Sequence, residues 1–207
     1  MPSQVEIANM ALAHLAVGKS ISNIETELSI EAKQARLFLT PAIEFVLKSF
    51  SWPFATKTAY LALISTDTSD TSIWTYTYRY PEDCLKVRRI VPDRTLYVPL
   101  ITRIPMQIGA GDKGTTIMTN DVNARIEYTA NIFDPTLYSY MFAITVSYLL
   151  ASYMAPNLTG GDANGLGEKA LRLYSANLAI ASSQEFHEQT YESVTAKEIS
   201  EYTQVRD

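Results

Sequence analysis

The sequence predicts an α+β fold, a helical layer built from N- and C-terminal helices with an inserted, mostly antiparallel β lobe. Three observations carry this. Apolar residues recur at helical spacing near both ends of the chain. Between them, residues 57–131 are rich in Thr, Tyr, Val and Ile and broken by turn residues. One run there, Trp74-Thr75-Tyr76-Thr77-Tyr78-Arg79-Tyr80, alternates aromatic and polar residues, the period of a strand with one aromatic face. Strands grouped between helices argue against alternating βαβ units and a parallel sheet. The expected organisation is a helical core of residues 1–56 and 132–184, a β lobe of 57–131, and an acidic C-terminal extension of 185–207.

The first helix opens on a capping box, Ser3-Gln4-Val5-Glu6, in which hydroxyl and carboxylate each satisfy an orphan backbone N–H. Val5, Ala8, Leu12 and Leu15 follow at helical spacing, and Gly18 suits the position after the helix end. Residues 19–28 read as a loop. Ser29 caps a second helix, with Glu31 at its positive end, that runs through Ala32, Ala35, Leu39, Ile43 and Leu47 towards Phe50. Pro41 lies inside it and should kink or interrupt it.

The texture changes at Trp52-Pro53-Phe54. After the aromatic strand, Leu85-Lys86-Val87 with Ile90-Val91 continue a strand pattern, and 97–104, 115–119 and 124–129 read as further strands. Pro81, Pro92, Pro99 and Pro105 fit strand ends or edges. Helices return at Asp134-Pro135, an N-cap followed by a first-turn proline, in a helix expected to stop at Pro156. A last helix starts within 162–166, passes Ala181, and presents Leu171, Tyr174, Leu178 and Ala181 on one face. Residues 137–158 are mostly apolar and uncharged. Their scattered Tyr, Ser and Thr and the lack of flanking Lys or Arg clusters make this a buried helix rather than a membrane span.

Composition excludes several classes. The chain of 207 residues is 47% hydrophobic and 19% charged, too apolar for disorder. One cysteine, Cys84, forms no disulfide scaffold. The net charge of −5 weighs against a dedicated nucleic-acid binder. That charge is uneven: residues 185–207 carry −4 and the remainder −1. Residues 79–103 are locally basic, with Arg79, Lys86, Arg88, Arg89, Arg94 and Arg103. The two runs read either as solvated faces or as surfaces of opposite sign that meet partners. Residues 1–18 carry Glu6 and no basic segment before an apolar stretch, so no secretory leader is expected.

Catalytic motifs are weak. Gly109-Ala110-Gly111-Asp112-Lys113-Gly114 matches a dinucleotide fingerprint, but a strand pattern rather than a helix follows, so it reads as a hairpin or loop turn. His14 and His187 are far apart, and with one cysteine no metal site assembles. Asp83 beside Cys84 raises rather than lowers a thiol pKa. Glu82 and Asp83 follow Pro81 in a turn and point to opposite faces if extended, a poor start for a two-carboxylate hydrolase. No catalytic residue, cofactor or metal is expected.

Four stretches together resemble the tail tubular protein A family of short-tailed phages, adaptors between portal and tail nozzle. They are Ile7 to Gly18 with Ile21; Ala35 to Phe50-Ser51-Trp52-Pro53-Phe54-Ala55; Tyr76-Thr77-Tyr78-Arg79-Tyr80-Pro81-Glu82-Asp83-Cys84-Leu85-Lys86-Val87; and the Asp134-Pro135 helix with Leu149-Leu150-Ala151 and Leu158-Thr159-Gly160. The third is the most specific, through its Tyr-x-Tyr and Pro-x-Asp-Cys-Leu-x-Val pattern. Trp52, Phe54, Tyr76, Tyr78, Tyr80, Pro81, Asp83 and Leu85 are then structural motif residues.

The resemblance implies a non-enzymatic virion protein at the head–tail junction, a homododecameric ring between portal and nozzle. Double-stranded DNA would pass through its centre without specific binding. A near-neutral or acidic channel suits that passage, because phosphate affinity requires Lys and Arg. The 13 tyrosines suit large, partly wet interfaces as well as a β-lobe core. The tail residues Glu185, Glu188, Tyr191, Glu192, Glu198 and Tyr202 are the expected contacts to a neighbouring subunit or the portal. The rival expectation is a tail-associated cell-wall hydrolase using Glu82 and Asp83.

Overall fold

The computed structural model describes residues 2–69, 72–92, 104–111 and 114–203, with 185–203 as backbone alone. These residues form an α+β fold with four α-helices and two antiparallel sheets. The chain divides into two compact units. One comprises Met1–Phe54 with Phe133–Asp207, and the other Ala55–Ile132.

In the helical unit, α1 (Gln4–His14) starts on the expected capping box. Ser3 Oγ accepts from Glu6 N at 3.1 Å and Glu6 Oε2 accepts from Ser3 N at 2.6 Å. It ends earlier than Gly18. Ala16 takes the left-handed conformation (φ 55°), Ala16 N donates to Ala13 O, and Val17 N donates to Leu12 O at 3.1 Å. This is a Schellman closure with alanine in the place glycine usually fills. The loop that follows is pinned by side chains. Asn9 holds both backbone groups of Ile21, and the Arg36 guanidinium donates to the carbonyls of Ile24 and Glu25.

The second helix, α2 (Ile30–Ser49), is capped by Ser29 and buries Ala32, Ala35, Leu39, Ile43 and Leu47. Pro41 does not interrupt it. Pro41 and Leu37 both lie on the exposed face, so the carbonyl that proline leaves unpaired, that of Leu37, is on the water side.

The Asp134-Pro135 signal forms a short 3₁₀ turn, Pro135–Leu137, rather than a helix start. Asp134 Oδ1 caps Thr136 N at 3.0 Å, but Tyr138 is extended and ends the turn. A separate cap, Ser139, opens α3 (Tyr140–Leu158) by accepting from Phe142 N at 3.2 Å. Pro156 lies inside α3 rather than stopping it, because it falls in the last turn. Its own carbonyl accepts from Gly161 N at 2.8 Å, and Gly160 (φ 66°) reverses the chain.

Mostly apolar, α3 is long enough by length and composition to cross a membrane, yet ten of its side chains are buried within the unit. The buried hydroxyls of Thr145 and Ser147 are returned to their own helix, to Met141 O and Ile144 O.

The fourth helix, α4 (Leu166–Thr203), continues through most of the acidic tail. Asp162 (φ 61°) caps it, accepting from Gly167 N at 2.9 Å and Glu168 N at 3.3 Å. Tyr174 and Ala181 are buried as expected, whereas Leu171 is exposed. The inward face is set instead by Ala170, Tyr174 and Ala181, at spacings of four and seven residues.

The β unit contains β1 (Thr56–Tyr60), β2 (Leu63–Thr66), β3 (Tyr76–Arg79), β4 (Cys84–Val91), β5 (Met106–Gly111), β6 (Gly114–Thr119) and β7 (Arg125–Ala130). They form two antiparallel sheets, β1-β7-β4 and β2-β3-β6-β5. Buried Tyr78 and Ile117 from one sheet and Val87, Ile90, Ile126 and Tyr128 from the other share one core. Val87 and Ile90 are three apart yet both inward, because bulges between Cys84 and Lys86 and between Val87 and Arg89 shift the register. Of the Gly109–Gly114 run, Gly109, Ala110 and Gly111 end β5 and Gly111 pairs opposite Gly114 of β6, while Asp112 and Lys113 lie outside the described residues. The strand expected at 97–104 lies, except for Ile104, outside the described residues.

Candidate functional site

The motif residues are structural anchors in both units. Trp52 is fully buried, and its Nε1 donates to Val46 O at 2.8 Å. Its ring meets Phe142 edge-on at 5.0 Å and Phe50 at 5.5 Å. Phe54 packs on Phe142 at 5.1 Å and on Tyr138 at 5.7 Å. The Trp-x-Phe corner is therefore the aromatic centre of the helical unit, an arrangement worth more than its area alone.

In the β unit, Tyr78 is buried and its hydroxyl donates to Asp121 O at 2.9 Å. Tyr76 and Tyr80 flank the same core. Pro81 O accepts from Cys84 N to close the turn into β4, where Leu85 is half-buried.

Asp83 is fully engaged. Its Oδ2 is 2.7 Å from Lys57 Nζ, and its Oδ1 accepts from the Tyr128 hydroxyl at 2.9 Å. The Lys57 hydrogen bond, with support from Tyr128, holds its carboxyl below the ordinary range. Burial, with the facing carboxylate, pushes Tyr128 up to about 12. Burial first, and the Asp83 charge with it, also raises the Cys84 thiol, so it is not an activated thiolate. Glu82 is exposed. Three antiparallel strands thus meet at one locked polar knot, not a pair of carboxylates facing across a cleft. Among the described residues no group of three or more His, Cys, Asp or Glu is placed to hold a metal.

The locally basic segment is partly spent inside the β unit. Arg89 pairs with Glu127 at 2.8 Å, and the half-buried Arg88 donates Nε to Thr129 Oγ1 at 2.7 Å. Arg94 and Arg103 lie outside the described residues, as do the side chains of the tail set Glu185, Glu188, Tyr191, Glu192, Glu198 and Tyr202.

The helical unit exposes apolar residues on the outside of α2. Ile30, Leu37 and Phe45 are 62%, 60% and 50% exposed. At i, i+7 and i+15 they fall on one stripe, with Pro41 between them, opposite the buried stripe. Aligned on one helix face, these three side chains form a candidate contact surface. The signal is legible in the sequence as a second apolar periodicity, out of phase with Ala32, Ala35, Leu39 and Ile43, but the buried stripe dominates the reading.

A scan against protein-family models and a search of curated proteins both find nothing that matches this chain.

Proposed function

We propose that this protein is a structural virion component, an adaptor ring that joins a phage portal to its tail nozzle and lines part of the DNA channel. The observation that carries the reading is the third stretch, Tyr76 to Val87. Its pattern resembles the adaptor family, and here it makes the sheet-joining turn of a β lobe rather than a catalytic loop. Two further features support it. Asp83, one of the two carboxylates a hydrolase would use, is engaged by Lys57 and Tyr128. The α2 stripe supplies an apolar face of the kind a ring subunit presents to its neighbour.

In this reading the helical unit carries subunit and portal contacts, and the helical tail beyond residue 184 reaches a neighbour or the portal. The channel is near neutral, so DNA slides rather than sticks. No cofactor or membrane takes part.

Deleting residues 185–207 tests the docking role. The truncated protein should fold and fail to bind the portal protein of the same genome. Normal docking of the truncated protein would remove the tail from the account. Gene order tests the class, with a portal gene upstream and a nozzle gene downstream expected.

A further inference from the structure

The three-stranded sheet of the β unit has a basic outer face. Lys86 and Arg89 of β4 lie opposite Thr129 and Glu127 of β7, and Arg125 of β7 lies opposite Tyr60 of β1. Opposed residues share a face, here the one turned away from Val87, Ile90, Ile126 and Tyr128 in the core. Arg88, in the second bulge of β4, joins them, because its Nε reaches Thr129 Oγ1 at 2.7 Å.

Among the described residues four cations thus share this face with one carboxylate, Glu127, which takes the Arg89 guanidinium at 2.8 Å. Lys86 and Arg89 are exposed, and Arg125 lies 5.8 Å from the centre of the exposed Tyr60 ring. Asp121 borders the end of the face, beside Tyr60 and Arg125. The strands are about 5 Å apart, so these like charges act on one another within a Debye length. A face of this kind favours an anionic partner.

The chain carries such an anion. Residues 185–207 hold six acids and two bases, and Glu185, Glu188 and Glu192 recur at helical spacing. This segment lies beyond the reach of its own packing partner. Helix α3 has 19 residues and α4 has 38. The two run antiparallel from the Gly160 reversal, with Gly167 against Ala155. Residues 166–184 therefore take up the length of α3, and 185–203 continue past its first residue by about 28 Å.

We propose that the basic outer face of the β1-β7-β4 sheet receives the acidic end of α4 from a second copy of this chain. The proposal rests on the adaptor reading, in which each copy presents two unlike faces and head-to-tail contacts close a ring. The charge of −4 on the tail offsets the excess of cations on the face.

Disulfide trapping on the full chain tests this, in a Cys84→Ser background with Thr58→Cys in one set of chains and Tyr191→Cys in another. Thr58 is exposed on the basic face, opposite Glu127. Mixed at low salt under mild oxidation, the two sets should give heterodimer well above either homodimer. That excess should be lost at about 1 M salt, where charges are screened within about 3 Å. It should also be lost when Lys86→Glu and Arg125→Glu are added to the Thr58→Cys chain.

No heterodimer above the homodimers, or a heterodimer indifferent to salt and to charge reversal, would overturn the contact. Salt-sensitive binding of a DNA duplex, abolished by the same reversal and accompanied by no heterodimer, would assign the face to nucleic acid and overturn it too. Should Cys84→Ser fail to fold, sedimentation of the wild type and of K86E/R125E decides. Salt-labile association in the first and none in the second is expected, and monomers in both would overturn the contact. The adaptor reading fails separately: heterodimer without portal binding sinks that reading and keeps this contact, and a ring on the portal without heterodimer does the reverse.

Discussion

Ala16 and Asp83 show how single residues set local structure, and each gives a prediction. Ala16 holds φ at 55°, where a Cβ is strained and glycine is not. Ala16→Gly should therefore raise stability by about 0.5–1 kcal/mol, measured by chemical denaturation. A loss would mean the loop conformation differs. Asp83 joins Lys57 on β1 to Tyr128 on β7 from the start of the β4 turn.

Asp83 is partly exposed, so its ion pair contributes little, and most of its value lies in the tyrosine hydrogen bond. Asp83→Ala should cost about 1–2 kcal/mol, and under the proposed function neither the variant nor the wild type should cleave peptidoglycan. Its depressed carboxyl contributes stability above the ordinary carboxylate value. That contribution is lost as pH falls through the folded value, and the D83A variant should lack this acid-limb component. Peptidoglycan cleavage abolished by D83A would instead favour the hydrolase reading.

At the scale of elements, α3 and α4 approach each other closely at Gly167. A Cβ on Gly167 would sit 2.6 Å from Ala155 Cβ and 2.9 Å from Asp162 Oδ2, the cap of α4. Gly167→Ala should destabilise the protein by about 1–3 kcal/mol through overpacking and a displaced cap, read as a lowered thermal midpoint. An unchanged midpoint would show that the two helices separate at no cost.

The capping box of α1, the buried stripe of α2 and the alternation in β3 were legible because each depends on spacing alone. What was not legible depends on position in space. Pro41 is tolerated because its face is solvent-exposed. Pro156 is tolerated because Gly160 ends the helix one turn later. Asp134 caps only a 3₁₀ turn because Ser139 offers a second cap five residues on. Leu171 reads as core by apolarity, but Ala170 lets α4 approach α3 more closely and takes the inward position. The bulges of β4 have no sequence signature at all.

For the whole molecule, the proposal separates what holds each unit together from what would hold subunits together. The Trp52 cluster and the Tyr78 core are internal, so Trp52→Ala should unfold the helical unit at a cost of about 3–5 kcal/mol. The α2 stripe is external. Leu37→Asp with Phe45→Asp should leave the thermal midpoint within a few degrees of wild type while abolishing assembly on the portal. The Asp83 knot, first legible as a possible carboxylate pair, proves to be a fastening between strands.

The most direct measurement is cryo-EM of the full chain mixed with the portal protein of the same genome. The account predicts a closed ring of twelve copies seated on the portal, with α2 stripes and residues 185–207 in contact with neighbours and an open axial channel. Portal particles with no added density, the chain remaining monomeric beside them, would contradict it.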